Sequence, residues 1–358
     1  MMGLSCVPPR FPPLASLSEV PNVKTRSAIV FLSVAVLATI STQVAGAAEP
    51  TGRIKAGLLG LDTSHVIEFN KLLSDPKATG ELAEMTIVAG YPGGSPDLPA
   101  SWNRVKGYTE QLRGKGIEIV DSIDELLKRV DVVLLTSVDG RPHLAQARQV
   151  IEAGKPLFID KPPADSLADA IRIFRLAKEK NVPCFSASSL RFNSASEAVR
   201  DGTAGFGDIR SCTAWSTAGG GNPKQPEPFW FHGIHGVELL FTVMGPQCKT
   251  VARVAPDKAV GMWKDGRLGV MLANTSYGAV AVGTKKSGDA GKNEGYAPLM
   301  IAVVKFFKTG KPPVSAEETL EIMAFMEAAD ESQRQDGAPV SLESVMKKAE
   351  EQAAKEGR

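Results

Sequence analysis

The chain is poor in several residues and patterns that would fix its chemistry at once. Its 358 residues include four cysteines and four histidines. No two cysteines form a C-x-x-C pair, which argues against a structural zinc site. Cys6 falls in the first fifty residues. Cys184, Cys212 and Cys248 are widely spaced and read as buried thiols, with one disulfide the alternative in an oxidising compartment. Net charge is also scarce: 41 Lys and Arg against 40 Asp and Glu leave a formal +1. A nucleic-acid surface needs a basic excess or stripe, so none is expected. Beyond residue 50 no stretch is apolar for the ~20 residues a bilayer span needs, and no repeat recurs at solenoid periods.

What is present reads as a globular chain of about two domains, with 43% hydrophobic and 23% charged residues. The first fifty residues differ from the rest. Residues 1–23 are rich in Pro and Ser; Lys24 and Arg26 then precede an apolar run from Ala28 to Ile40. Ala45-Gly46-Ala47 fits a small-residue cleavage site, so residues 1–47 read as a secretory signal peptide and Ala48 as the mature start. The competing reading, an uncleaved anchor, has a short run for a bilayer. With no Arg-Arg pair, a twin-arginine route is unsupported. The chain is therefore expected to reach the periplasm or the cell exterior, unfolded and without a cofactor.

From Ile54 to Phe185 strand-like and helix-like patterns alternate. Strands are expected at 54–61, 85–89, 117–120, 132–136, 157–159 and 182–185, with a helix from the caps at 62–64 to about 74, a Gly/Pro-rich loop at 90–101, and helices at 123–129, 142–153 and 166–180. The pattern predicts a doubly wound parallel sheet over residues 48–187. Residues 188–340 predict an α+β domain with a mostly antiparallel sheet, which Asp265-Gly266 helps to fold as a hairpin turn. Residues 285–295 read as a Gly/Lys/Asp loop, Trp263 and Tyr277 as sheet packing, and 341–358 as a charged helix with a solvated face.

The stretch that organises the chemistry is Glu152 to Pro163, E-A-G-K-P-L-F-I-D-K-P-P. A helix stops at Gly154. An apolar strand follows and ends in the charged pair Asp160-Lys161, at the carboxyl edge where open α/β sheets bind ligands. Its plain alternative is a helix–strand unit with a structural ion pair. The early His143, the A-G-K and the strand before Lys161-Pro162 resemble the glucose–fructose oxidoreductase/inositol dehydrogenase/MocA-like (Gfo/Idh/MocA) family, with Asp160 in place of Glu. A second constellation, Phe229 to Gly245, keeps that family's register at Gly233, His235, Glu238 and Gly245 but has Phe231 where the family carries Asp. The resemblance spans residues 54–340.

It implies an NAD- or NADP-dependent oxidoreductase acting on a sugar, polyol or related hydroxy compound. The second sheet would pair copies of the chain. Alcohol oxidation needs a base for the hydroxyl proton, and an imidazole of pKa ~6.5 suits that task. The catalytic candidates are His235 as acid/base, Lys161 as its electrostatic partner and His232 as a relay replacing the lost Asp. For His232 a helix-face role is the plain alternative. Arg191, Glu238 and Arg141 are the substrate-binding candidates; a strut at the domain junction is the alternative for Arg191, and a local pair with Asp139 for Arg141. Gly60, Asp62, Thr63, Ser64, His65, Asp160 and Lys161 are the cofactor-binding candidates.

Two departures weigh against an ordinary cofactor site. The G-x-G-x-x-G turn reads Gly60-Leu61-Asp62-Thr63-Ser64-His65, so two of its three glycines are gone. Asp62 would repel a phosphate unless it turned away to cap the helix. At the end of the second strand, where a ribose-binding acid is expected, stands Ala89-Gly90-Tyr91; Asp97 in the loop beyond could substitute. A non-redox carbohydrate-binding protein, hydrolase or lyase on the same fold is thus the alternative. His232, His235 and Glu238 permit a third reading as ligands of Zn²⁺ or Mn²⁺. Three ligands on one short helix beside glycines argue against it, and no metal is assigned.

Overall fold

A computed structural model describes residues 52–217 and 232–355. The signal-peptide reading, the mature start at Ala48 and Phe231 lie outside the described residues.

The first sheet is built from β1 (Ile54–Leu59), β2 (Met85–Tyr91), β3 (Glu118–Ile119), β4 (Val132–Leu135), β5 (Leu157–Asp160) and β6 (Cys184–Ala187). Its order is β3-β2-β1-β4-β5-β6 and all its pairings are parallel. Every residue of β4, β5 and β6 is buried, as expected when helices cover both faces. Those helices are α1 (His65–Leu73), α2 (Pro99–Arg113), α3 (Ile123–Leu127), α4 (His143–Glu152) and α5 (Leu167–Glu179). Ser122 and Ser166 cap α3 and α5 by accepting the N–H of Glu125 and Asp169. The order reverses between β1 and β4, which opens the crevice of a doubly wound sheet at their carboxyl ends.

Helix α2 was not legible in the sequence. Its core side is Ser101, Val105, Thr109 and Leu112; two of the four are polar, so no apolar stripe marks it.

After α6 (Ser194–Arg200) comes β7 (Ile209–Thr217), then α7 (Ile234–Met244). The second sheet continues with β8 (Cys248–Ala255), β9 (Lys258–Trp263), β10 (Leu268–Asn274), β11 (Gly278–Gly283), β12 (Ser287–Lys292) and, beyond α8 (Ala297–Thr309) and α9 (Ala316–Arg334), β13 (Val340–Ser341). It runs β12-β11-β7-β10-β9-β8-β13 and is antiparallel except between β7 and β10. Every residue of α7 is buried beneath this sheet, so α7 is a core helix, mostly apolar, with His235, Glu238 and Thr242 as its buried polar groups. The other face leaves Met262, Leu268, Val280 and Val282 exposed.

Two expectations need correction. Residues 287–292 form β12, paired with β11 through a bulge. Its sequence, S-G-D-A-G-K, has one apolar residue beyond its glycines, so the alternation that marks a strand is missing. The final helix, α10 (Leu342–Lys355), is not merely a solvated face. Leu342, Val345, Ala349 and Ala353 are buried along one side, and Arg172 of α5 donates to the carbonyls of Gln352 (2.8 Å) and Ala353 (3.3 Å).

Candidate functional site

Four loops meet at the carboxyl edge of the first sheet. They follow β1 (Gly60–Ser64), β4 (Thr136–Pro142), β5 (Lys161 onward) and β6 (Ser188 onward). Parallel strands end on the same side, so residues distant in sequence are delivered to one rim.

Asp160 and His65 form the first pair. Asp160 is 5% exposed and its carboxylate takes a hydrogen bond from His65 Nδ1. It also accepts the Lys161 N–H at 2.9 Å. Burial alone would raise the Asp160 carboxyl, but His65 and Lys161 overcome it and hold it below its usual range. The His65 ring packs 4.7 Å from that of Tyr296, at the head of α8.

Lys161 follows in the same loop. Burial lowers its ammonium to about 8; Asp160 opposes that shift and Arg104 of α2 adds to it. From the other sheet's side, α7 presents His235 in its first turn. His235 Nδ1 lies 2.6 Å from Ser188 Oγ, and its ring meets the edge of Tyr277 at 5.6 Å. Burial, then the nearby charges of Lys161, His65 and His232, push His235 well below the ordinary imidazole value. It is therefore neutral at pH 7 and able to accept a proton. With Nδ1 committed to Ser188, Nε2 is the nitrogen that can meet a substrate. Lys161, His65, His232 and His235 thus share one electrostatic neighbourhood.

Arg191 and Glu238 lie behind this group. Arg191 is 2% exposed; its Nε binds Glu238 and its Nη2 binds Glu318 of α9 at 2.6 Å. Glu238 also accepts the Ser188 backbone N–H. The triad thus fixes Ser188, which holds His235. In this structure Arg191 and Glu238 are both engaged in that buried ion-pair group.

Arg141 is likewise engaged. It grips Asp97 through Nη1 (2.6 Å) and Nη2 (2.8 Å), and Asp139 through Nε (2.9 Å). His143 is fully buried, with Nε2 2.8 Å from the carbonyl of Ser137 and Nδ1 3.2 Å from that of Pro163. It fills the space behind the charged strand end.

Gly60 has φ +92°, and a Cβ there would sit 2.6 Å from Ser137 Cα. Gly60→Ala is expected to cost about 1–3 kcal/mol from backbone conformation alone; urea unfolding checks it. Asp62 does turn away, but not to cap α1. It accepts Val138 N–H (2.9 Å) and Ser101 O–H (2.6 Å), and burial raises its carboxyl. Thr63 accepts the His65 N–H at 3.4 Å, and Ser64, the N-cap, makes no side-chain cap bond.

Residues 99–188 match a family model described as the GFO_IDH_MocA oxidoreductase family, NAD-binding Rossmann fold. Over that stretch the chain is similar to the Gfo/Idh/MocA family. Two curated relatives agree: the uncharacterized oxidoreductase YhhX of Escherichia coli, 33% identical over 142 residues, and an uncharacterized oxidoreductase of Streptococcus pneumoniae, 26% identical over 153 residues. These matches cover 36% and 38% of this chain and span 40% of the length of each relative. A scyllo-inositol dehydrogenase from Lactobacillus casei, solved with bound NAD(H) and scyllo-inositol, shares the fold at TM-score 0.64 and 15% identity, covering 81% of this chain and 99% of that one. An oxidoreductase from Agrobacterium radiobacter, in complex with NAD+, L-tartaric acid and magnesium, does so at 0.62 and 16%, covering 82% and 99%.

The first sheet has the strand order of a dinucleotide-binding fold. The crevice itself is crossed by residues 92–98. Leu61 N–H donates to Pro92 O at 2.7 Å, and a Cβ on Gly93 would lie 3.5 Å from Gly60 Cα and 3.9 Å from Ser137 Oγ. A pyrophosphate over Gly60 would occupy the space of Gly93. As the loop lies, it covers the turn where a pyrophosphate would approach Gly60. Among the described residues no group of three or more His, Cys, Asp or Glu is placed to hold a metal ion.

Sequence reading missed Tyr277, Tyr296 and Ser188. The first follows β10 and reads as sheet packing, the second reads as a helix start, and Ser188 has no pattern of its own.

Proposed function

We propose that this chain is an NAD(P)-dependent oxidoreductase acting on a sugar, polyol or related hydroxy compound. The observation that carries the reading is that Lys161, in the loop after β5, lies close enough to His235, on α7, for its charge to help keep that imidazole neutral. A nicotinamide cofactor would supply the hydride acceptor. In this proposal His235 Nε2 takes the substrate hydroxyl proton, the Lys161 ammonium steadies the oxygen as negative charge develops, and Ser188 keeps the imidazole in register. His65 with Asp160 sets the charge around Lys161. The solved relatives bound to scyllo-inositol and to L-tartaric acid lend support to a small hydroxylated substrate.

The leader at 1–47 supports export and the apolar outer face of the second sheet supports a second copy as partner. The domain division at 187/188 belongs to the same proposal. The test is to purify the secreted chain, read its first residue (Ala48 expected), sediment it (a dimer or larger expected), and follow nicotinamide reduction over sugars, polyols and hydroxy acids. Substrate-dependent reduction is expected. The loop across the crevice favours a second reading, a non-redox carbohydrate binder, hydrolase or lyase. No reduction with any compound, together with calorimetric sugar binding in the absence of cofactor, would transfer the assignment to it.

A further inference from the structure

Residues 92–98 are tied to both walls of the crevice. On the β1 side, Leu61 N–H binds Pro92 O and Gly93 lies on Gly60. On the α2 side, Ser95 N–H donates to Ser101 Oγ at 2.8 Å, and Ser101 in turn donates to Asp62. On the β4 side, Ser95 hydrogen-bonds Asp139, and Asp97 takes both guanidinium arms of Arg141. Arg141 is anchored by Asp139, which is 2% exposed. The base of the loop carries two glycines with left-handed backbone, Gly93 at φ +61° and Gly94 at φ +103°, a conformation in which a hinge costs least.

From these contacts we infer that residues 92–98 are a strap that closes the dinucleotide crevice, with Arg141 as its clasp and Gly93-Gly94 as its hinge. The inference rests on the NAD(P) reading of the site. The sequence departures acquire a physical sense. Asp62, which would repel a pyrophosphate, is instead the anchor for Ser101 and, through it, for the strap. Tyr91, where a ribose-binding acid is expected, leads straight into the strap. Arg141 is then a positioning residue for cofactor admission rather than a substrate contact. A dinucleotide pays for displacing the strap, so its apparent affinity falls by the fraction of molecules that stand open.

The test is binding without substrate, by calorimetry with NAD+ and NADP+, on the full chain and on Ser95→Ala/Asp97→Asn. The substitutions remove the Ser95 hydroxyl, part-buried, and the Asp97 charge, exposed, while an amide oxygen at 97 can still meet a ribose hydroxyl. The variant is expected to bind the preferred dinucleotide about tenfold more tightly, because the open fraction rises. Hydrogen exchange gives a second readout: in the parent chain, saturating dinucleotide should speed exchange at the amides of 93–98, whereas a loop that merely lines the cofactor would slow it. Equal affinities in parent and variant, slowed or unchanged exchange, or no binding by either protein would each overturn the strap. Binding that tightens in the variant with no turnover of any substrate would sink the redox reading and leave the strap standing. Turnover with affinity unmoved would do the reverse.

Discussion

Arg191→Met is expected to destabilise the folded chain by about 3–5 kcal/mol, the usual result of removing one partner from a buried ion pair. The guanidinium is 2% exposed and holds two carboxylates, Glu238 and Glu318. Glu238 is itself buried, and burial already raises its carboxyl. Without its counter-charge the folded-state pKa of Glu238 rises further above the unfolded one. A raised acid is penalised at high pH and relieved as pH falls and the folded state takes up a proton. The deficit of the variant should therefore be largest at neutral pH and shrink towards pH 5. Adding Glu238→Leu should recover part of the loss, since an apolar pair replaces a bare charge. Urea unfolding at two pH values checks all three statements. A deficit under ~1 kcal/mol at pH 7 would mean that the triad is not the junction's strut. Loss of the triad should also loosen Ser188 and so blur the orientation of His235.

The second large effect is on turnover. Lys161→Ala and His235→Ala are each expected to lower kcat about 10²–10⁴-fold, the range for a positioned proton-transfer group, with the melting temperature kept near that of the parent. The pH profile separates their roles. His235 lies well below its ordinary value, so the acid limb should fall below that of a free imidazole. Lys161 is lowered to about 8, and its charged form is the useful one, so activity should decline as pH rises through about 8. Lys161→Arg keeps the charge at every accessible pH. It should lower kcat and abolish that alkaline limb. An unchanged limb in the Arg variant would assign the titration to another group and end the case for Lys161.

Much of this arrangement could be read before any coordinates. Buried-type strands such as Leu157–Ile159 announce themselves because a parallel strand covered on both faces must be continuously apolar. The carboxyl-edge rule then places Asp160 and Lys161 at a site without further information. Register in the second motif singled out His235 and Glu238 as candidates, and both stand in α7. The failures share a cause. Helix α2 packs through Ser101 and Thr109, and β12 through glycine and Ala290, so neither advertises its buried side. Arg191, Glu238 and Ser188 act together through contacts 47 residues apart in sequence, which no local pattern encodes. The strap is the sharpest case. Its Gly and Pro content marks a loop, but where the loop would lie depended on Asp97 finding Arg141, 44 positions away.

The return of α10 to α5 has a topological meaning. The polypeptide leaves the first sheet once, after Ala187, builds the second sheet, and then brings its last helix back to grip the layer it left. A nick near residue 190 would therefore leave two fragments held by a non-covalent clamp. A fragment ending at residue 187 would bare the side of α5 that this clamp covers, and that surface would seek other cover, in aggregates or against a neighbour.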